Sequence, residues 1–188
     1  MLADYVAIDL ETTGLNPRME KIIEIGAVRV RNGVVEDAFC TYINPGKAIP
    51  QRVTELTGIT NEEVENAPYI EEVLPGFLEF LVEDYFLGHN IIFDYSFLKK
   101  AAVNHKLTFE RKGIDTLRIA RRFLTNLESR NLGFLCKHYE IPLEEAHRAY
   151  HDAHAAHLLY QRLSEEFYEK EEATFLPKPL VYSVKKEV

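Results

Sequence analysis

The chain has 188 residues, 46% of them hydrophobic and 28% charged, which fits one folded domain and excludes a disordered or fibrous chain. Its net charge of −8 counts against a broad basic face for long duplex, although a metal site built from carboxylates is acidic by construction. No stretch approaches the roughly 18 uncharged apolar residues of a membrane span, Asp4 and Asp9 interrupt any signal-like start, and Cys40 and Cys136 form no C-x-x-C pair, so a reducing cytoplasm is the expected setting.

Residues 5–10 read as a short apolar strand, and 12–20 as a polar loop carrying Gly14 and Pro17. Residues 21–31 and 34–43 read as strands joined by the two-residue turn Asn32-Gly33. A short helix over 51–57 is expected to stop at Gly58, and residues 70–82 have helical apolar spacing despite Pro75. Residues 85–88 form a fourth strand, and Asn90 is expected to cap a helix running to about residue 104. A fifth strand is expected near 113–114, with helices over 116–124, 131–139 and 152–168. The order predicts an α/β domain with a mixed five-stranded sheet, an antiparallel hairpin plus parallel strands, flanked by helices. Residues 1–168 are expected to form that domain. Residues 169–188 form a proline-punctuated tail that packs on the body, stays mobile or docks a partner.

Asp9 and Glu11 lie two apart at the end of the first strand, so alternation puts both carboxylates on one face. Such a pair followed by a Gly-containing loop suits a hard cation, and two solvated charges would look the same. Asp94 falls in the first turn of a helix, where the helix dipole also favours any anion. Asp152 opens the last helix and His147 lies five residues earlier, where it could take a proton from water or simply be a loop histidine. Strand ends and helix starts of an α/β domain converge at one edge of the sheet. An all-oxygen ligand set favours Mg²⁺ or Mn²⁺ over zinc.

In order and spacing, AIDLETTGL (7–15), IIEIGAV (22–28), ELTGIT (55–60), GHNIIFDYSFL (88–98), DTL (115–117) and HRAYHDA (147–153) resemble the motifs of one family. That family is the DEDD exonucleases of ribonuclease-H-like fold, in the subgroup with a histidine in the last motif. The resemblance covers about residues 3–165, and it looks nearest to the proofreading exonucleases of bacterial replicative DNA polymerases. It implies 3′→5′ release of 5′-mononucleotides from DNA with two divalent ions, Mg²⁺ or Mn²⁺, and a DNA polymerase subunit as a partner. Asp9, Glu11 and Asp152 would hold one ion, and Asp9 with Asp94 the other. His147 would be the general base. Thr12, Thr13, Gly14 and Leu15 would cradle the terminal nucleotide, with Leu15 as a wedge. Phe93 would flank the terminal sugar or base, and Asn90 would support the bound strand. Tyr150-His151 departs from the Leu-Asp often found there, at positions that are not ligands.

His151, His154 and His157 extend a dense histidine run without a clear fourth ligand, so packing or solvation is the default reading. Asp115 is expected to cap a helix. Arg118, Arg121, Arg122 and Arg130, with Lys99 and Lys100, are candidates for a local basic surface or for solvated helix faces. Leu132, Leu135, Cys136 and Tyr139 read as core. Rival readings are the same chemistry on RNA, an interaction module docked through the tail, and a metal-free carboxylate hydrolase using Asp9 and Glu11.

Overall fold

The computed structural model describes residues 1–184. Its central strand is β1 (Tyr5–Thr12), which pairs antiparallel with β2 (Ile22–Arg31) and parallel with β4 (Phe86–Gly88). Helices cover both faces of the sheet over this central strand, which is why Tyr5, Val6, Ala7 and Ile8 are all buried. β3 (Val34–Tyr42) returns from β2 through the Asn32-Gly33 turn, where both residues take the positive φ that this hairpin requires. β5 (Lys112–Asp115) lies parallel to β4.

The sheet has six strands rather than the expected five, in the order β3-β2-β1-β4-β5-β6. The extra strand, β6 (Lys178–Pro179), comes from the tail and pairs antiparallel with β5, and Leu180 N–H donates to Arg111 O at 2.9 Å. Proline hides such a strand from pattern reading, because it is tolerated only where the missing N–H faces away from the ladder, as at this edge. The tail also inserts Phe175 into the core against Phe123, and Glu171 pairs with Arg122. Of the three fates expected for it, residues 169–184 take the first and pack on their own body.

Helices α3 (Ile70–Leu81) and α4 (Ile91–Asn104) cover one face of the sheet. The other face carries α5 (Thr116–Phe123), α6 (Leu132–His138) and α7 (Ala149–Phe167). Two short helices, α1 (Gln51–Thr57) and α2 (Asn61–Glu65), close a small third cluster around Ile23, Ile49, Val53, Ile59 and Val64. Gly58 ends α1 at φ 75°. The sequence reading omits α2, although its start carries a Thr60–Glu63 capping box. Asn90 does head α4, but its backbone is left-handed (φ 67°) and its side chain makes no capping hydrogen bond. Its N–H donates instead to Asp115 Oδ1 at 2.9 Å, which ties the start of α4 to the end of β5. Asp115 caps α5 as expected, accepting from Leu117 N–H. No helix among the described residues is long and apolar enough to cross a membrane.

Candidate active site

Alternation along β1 decides which residues reach the site. Val6, Ile8 and Leu10 point into the core under α3 and α4, while Tyr5 and Ala7 point towards α7. Asp9 and Glu11 continue that second set, so both carboxylates rise on the α7 face at the strand's C-terminal end. The β1–β2 register shifts between Glu11 and Thr12, an irregularity of the kind that re-aims chain ends beside functional sites. α7 then brings Asp152, in its first turn, down onto the pair.

One carboxylate oxygen from each of Asp9, Glu11 and Asp152 lies within 4.8 Å of the other two. Asp152 Oδ1 is buried and has no hydrogen-bond partner, while Oδ2 accepts from His147 N–H at 3.2 Å. A buried carboxylate oxygen left without a donor, on a residue grouped with two other carboxylates, is what a hard divalent cation satisfies. The residues present therefore fit such an ion. This is the one group of that kind among the described residues, and the histidine run forms none. His157 instead shares a hydrogen bond of 2.7 Å with the Tyr5 hydroxyl inside the core, and its pKa is pushed down to about 4 by burial. His154 stacks on Tyr150.

Asp94 enters from the start of α4, is buried, and accepts from Leu10 N–H at 2.9 Å. Four acidic side chains thus share one edge, and their protonation reflects it. Asp9 is held well above the usual carboxylate range, first by burial and then by Asp94, Glu11 and Asp152. Glu11 is pushed up to about 9 by burial and by Asp152, Glu24 and Asp94, with Arg148 opposing. Burial raises Asp94 against the donated Leu10 N–H, and it raises Asp152 against His147.

A folded pKa above the unfolded one means that the fold is most stable where the group is protonated. That contribution is complete below the unfolded value of about 4 and is lost as pH rises through the folded values. In a chelator, the melting temperature should therefore fall steadily between pH 5 and the value of about 9 set by Glu11. Excess Mg²⁺ should flatten that slope, since an ion binds the deprotonated carboxylates. Thermal melts across this range with EDTA and with Mg²⁺ check it; parallel curves would show that the cluster does not take the ion.

The remaining predicted residues surround this cluster unevenly. Thr12 and Thr13 are buried and build the loop: Thr12 Oγ1 donates to Gly14 O at 2.6 Å, and Thr13 Oγ1 donates to Glu20. Leu15 stands at the loop's tip, 82% exposed. Phe93 is half-buried one residue before Asp94, with its ring 5.0 Å from that of Phe97. Asn90 is exposed at the head of α4. His147 is exposed beside Asp152, with a left-handed backbone (φ 63°). The basic candidates are largely engaged elsewhere. Lys99 binds Glu110 and Phe109 O, Lys100 binds Arg18 O, Arg122 binds Glu171, and Arg130 binds the carbonyls of Leu124 and Thr125. Arg118 and Arg121 are exposed on α5.

The sequence reading missed Glu24 and Arg148. Glu24 is 1% exposed near the start of β2, and Arg148 precedes α7 and pairs with it at 3.0 Å. The readable signal was a single carboxylate inside the otherwise apolar run IIEIGAV.

Comparison with known proteins identifies the family. The family model described as Exonuclease (RNase T) matches residues 6–160. The PolC-type DNA polymerase III of Clostridium perfringens is 41% identical over 152 residues, 81% of this chain. That stretch is 10% of the polymerase, so the chain spans about a tenth of that relative. The DNA polymerase III epsilon subunit of Aquifex aeolicus is 34% identical over 167 residues, covering 88% of this chain and 83% of that protein. The fold superimposes on E. coli Exonuclease I in complex with a dA13 oligonucleotide with a TM-score of 0.80 at 16% identity, over 93% of this chain and 43% of that one. Members of the matched family depend on divalent metal, and the carboxylate cluster needed for it is in place. By the extent of the family match and by its identity to a relative it nearly spans, this chain belongs to the exonuclease family.

Proposed function

We propose that the chain is a 3′→5′ exonuclease that removes nucleotides singly from the 3′ end of single-stranded or frayed DNA, in a proofreading or repair role. The observation that carries this reading is the cluster of Asp9, Glu11 and Asp152, with its unpartnered buried oxygen, directly beside a loop that ends in an exposed apolar tip. Two divalent ions, Mg²⁺ or Mn²⁺, held by these residues and Asp94, would stabilise the charge that builds on the attacked phosphate and the leaving oxygen. His147 takes a proton from the attacking water, whose oxygen bonds to phosphorus as the bond to the 3′ oxygen breaks. The product is a 5′-mononucleotide and a chain one residue shorter. Leu15 wedges against the terminal base, Phe93 and Asn90 flank the strand, and Thr12, Thr13 and Gly14 hold the loop that carries the wedge. Wedging and stacking use the faces of any base, which suits trimming without sequence preference.

The names of the polymerase III relatives support DNA as substrate and a polymerase subunit or domain as the partner. The two free cysteines, Cys40 and Cys136, support a reducing cytoplasmic setting. The test is a 5′-labelled oligonucleotide assay on matched DNA and RNA strands, with free or phosphate-blocked 3′ ends, in Mg²⁺, Mn²⁺ or chelator. The expected result is a shortening ladder on DNA that needs metal and a free 3′ end. Faster cleavage of RNA would move the substrate to RNA, equal cleavage of blocked ends would make the enzyme an endonuclease, and activity surviving the chelator would point to a metal-free hydrolase.

A further inference from the structure

Glu24 has no reason to be a carboxylate for packing alone. It sits in a buried strand directly opposite Glu11, and like charges across a ladder repel. A buried charge is tolerated only when it is paired and hydrogen-bonded. Glu24 is both. Its Oε1 accepts from Arg148 Nη2 at 3.0 Å, its Oε2 accepts from Ala149 N–H at 3.1 Å, and Arg148 Nε lies 3.3 Å from each oxygen. Arg148 in turn donates to the Tyr42 hydroxyl at 2.8 Å and lies 5.4 Å from the centre of the Tyr42 ring.

A second observation concerns the same peptide units. Gly26 lies two residues along β2, on the same face as Glu24. A Cβ built there would fall 2.2 Å from both Ala149 C and Tyr150 N. Only glycine allows the backbone at the start of α7 to lie against β2. Glu24 then grips that backbone at Ala149 N–H and the adjoining guanidinium. Together they fix residues 148–150, 124 positions away in the chain.

His147 is the residue immediately before this grip. It is exposed, left-handed in φ, and its N–H donates to Asp152. Its place beside Asp152 is therefore set by its neighbours. Removing a buried ion pair in favour of well-packed apolar residues often leaves stability unchanged or higher, so stability alone does not account for this one and its geometry suits a directional task.

We propose that Glu24 and Arg148 are positioning residues that fix the start of α7 so that His147 meets the attacking water. This rests on the reading of His147 as the base. The test measures kcat and KM on a single-stranded oligonucleotide for the native chain, Glu24→Gln, His147→Ala and the double variant, with thermal melts to verify folding. Glu24→Gln is expected to lower kcat by about 10–100-fold, since misplacement near 1 Å costs that much, while KM moves by about twofold or less. In the His147→Ala background the same substitution should change nothing further. Arg148→Lys keeps the charge but loses the fork, and it should follow the same pattern even if Glu24→Gln folds poorly. An equal loss with and without His147, or a loss restored by raising Mg²⁺, would overturn the positioning role while leaving His147 as the base. A His147→Ala chain with full kcat would instead sink the reading of the base.

Discussion

Asp9→Asn is expected to abolish metal-dependent cleavage while making the metal-free protein more stable. Asp9 belongs to the three-carboxylate group and is repelled by Asp94 as well, so it is the acid most central to the cluster. An asparagine of the same shape supplies a neutral oxygen where a cation needs charge. Loss of several kcal/mol of transition-state stabilisation corresponds to a rate decrease of about 10³-fold or more. The fold responds in the opposite sense. Burial and four neighbouring acids hold Asp9 protonated far above its ordinary range, so above about pH 5 it weakens the metal-free fold. Removing that penalty should raise the melting temperature in EDTA by a few degrees, at about 2–4 °C per kcal/mol for a chain of this size. The same substitution should also shrink the stabilisation that Mg²⁺ confers. Activity assays alongside melts with EDTA and Mg²⁺ read all three effects. Retained cleavage would remove Asp9 from the site, and a lower melting temperature in EDTA would contradict the crowding argument.

His147→Ala should slow the chemical step by about 10²–10⁴-fold, the usual worth of a positioned proton acceptor, with substrate binding little changed. His147 is exposed and makes only a backbone hydrogen bond to Asp152, so the fold should tolerate its loss. With no base to take the proton, hydroxide must attack directly. The variant's rate should then rise in proportion to hydroxide concentration, more steeply with pH than the native rate. Single-turnover measurements from pH 6 to 9 distinguish the two profiles. A variant matching the native chain in both rate and pH dependence would mean that another group accepts the proton.

The five candidate residues were not equally readable. Asp9 and Glu11 follow from strand alternation alone, because a period of two needs no knowledge of what packs above. Asp94 and Asp152 lie in first turns of helices, where an acid is favoured for local reasons, so position alone did not separate a ligand from a helix start. His147 sits in an irregular approach to α7 with a left-handed backbone, a conformation set by contacts distant in sequence. The ordered motifs were what grouped the five.

Other differences have the same origin. β6 escaped notice because its pairing is with β5, more than sixty residues earlier, and its own prolines read as loop. Asn90 looked like a side-chain cap and became a left-handed hinge held by Asp115, since the parallel β4–β5 pair brings those strand ends together. α7 began at Ala149 rather than at Asp152 because Glu24 and Gly26 anchor its first peptide units.

By itself the sequence determined the local elements: a central apolar strand ending in two acids on one face, a hairpin at Asn32-Gly33, and helices with Asp94 and Asp152 near their starts. Periodicity and turn chemistry act over a few residues and can be read there. Only the tertiary structure decided that Asp152 closes on Asp9 and Glu11 with one oxygen left unpartnered, that the tail completes the sheet, and that Glu24 holds the residue next to His147. Those depend on burial and on pairing across the chain, which no local pattern encodes.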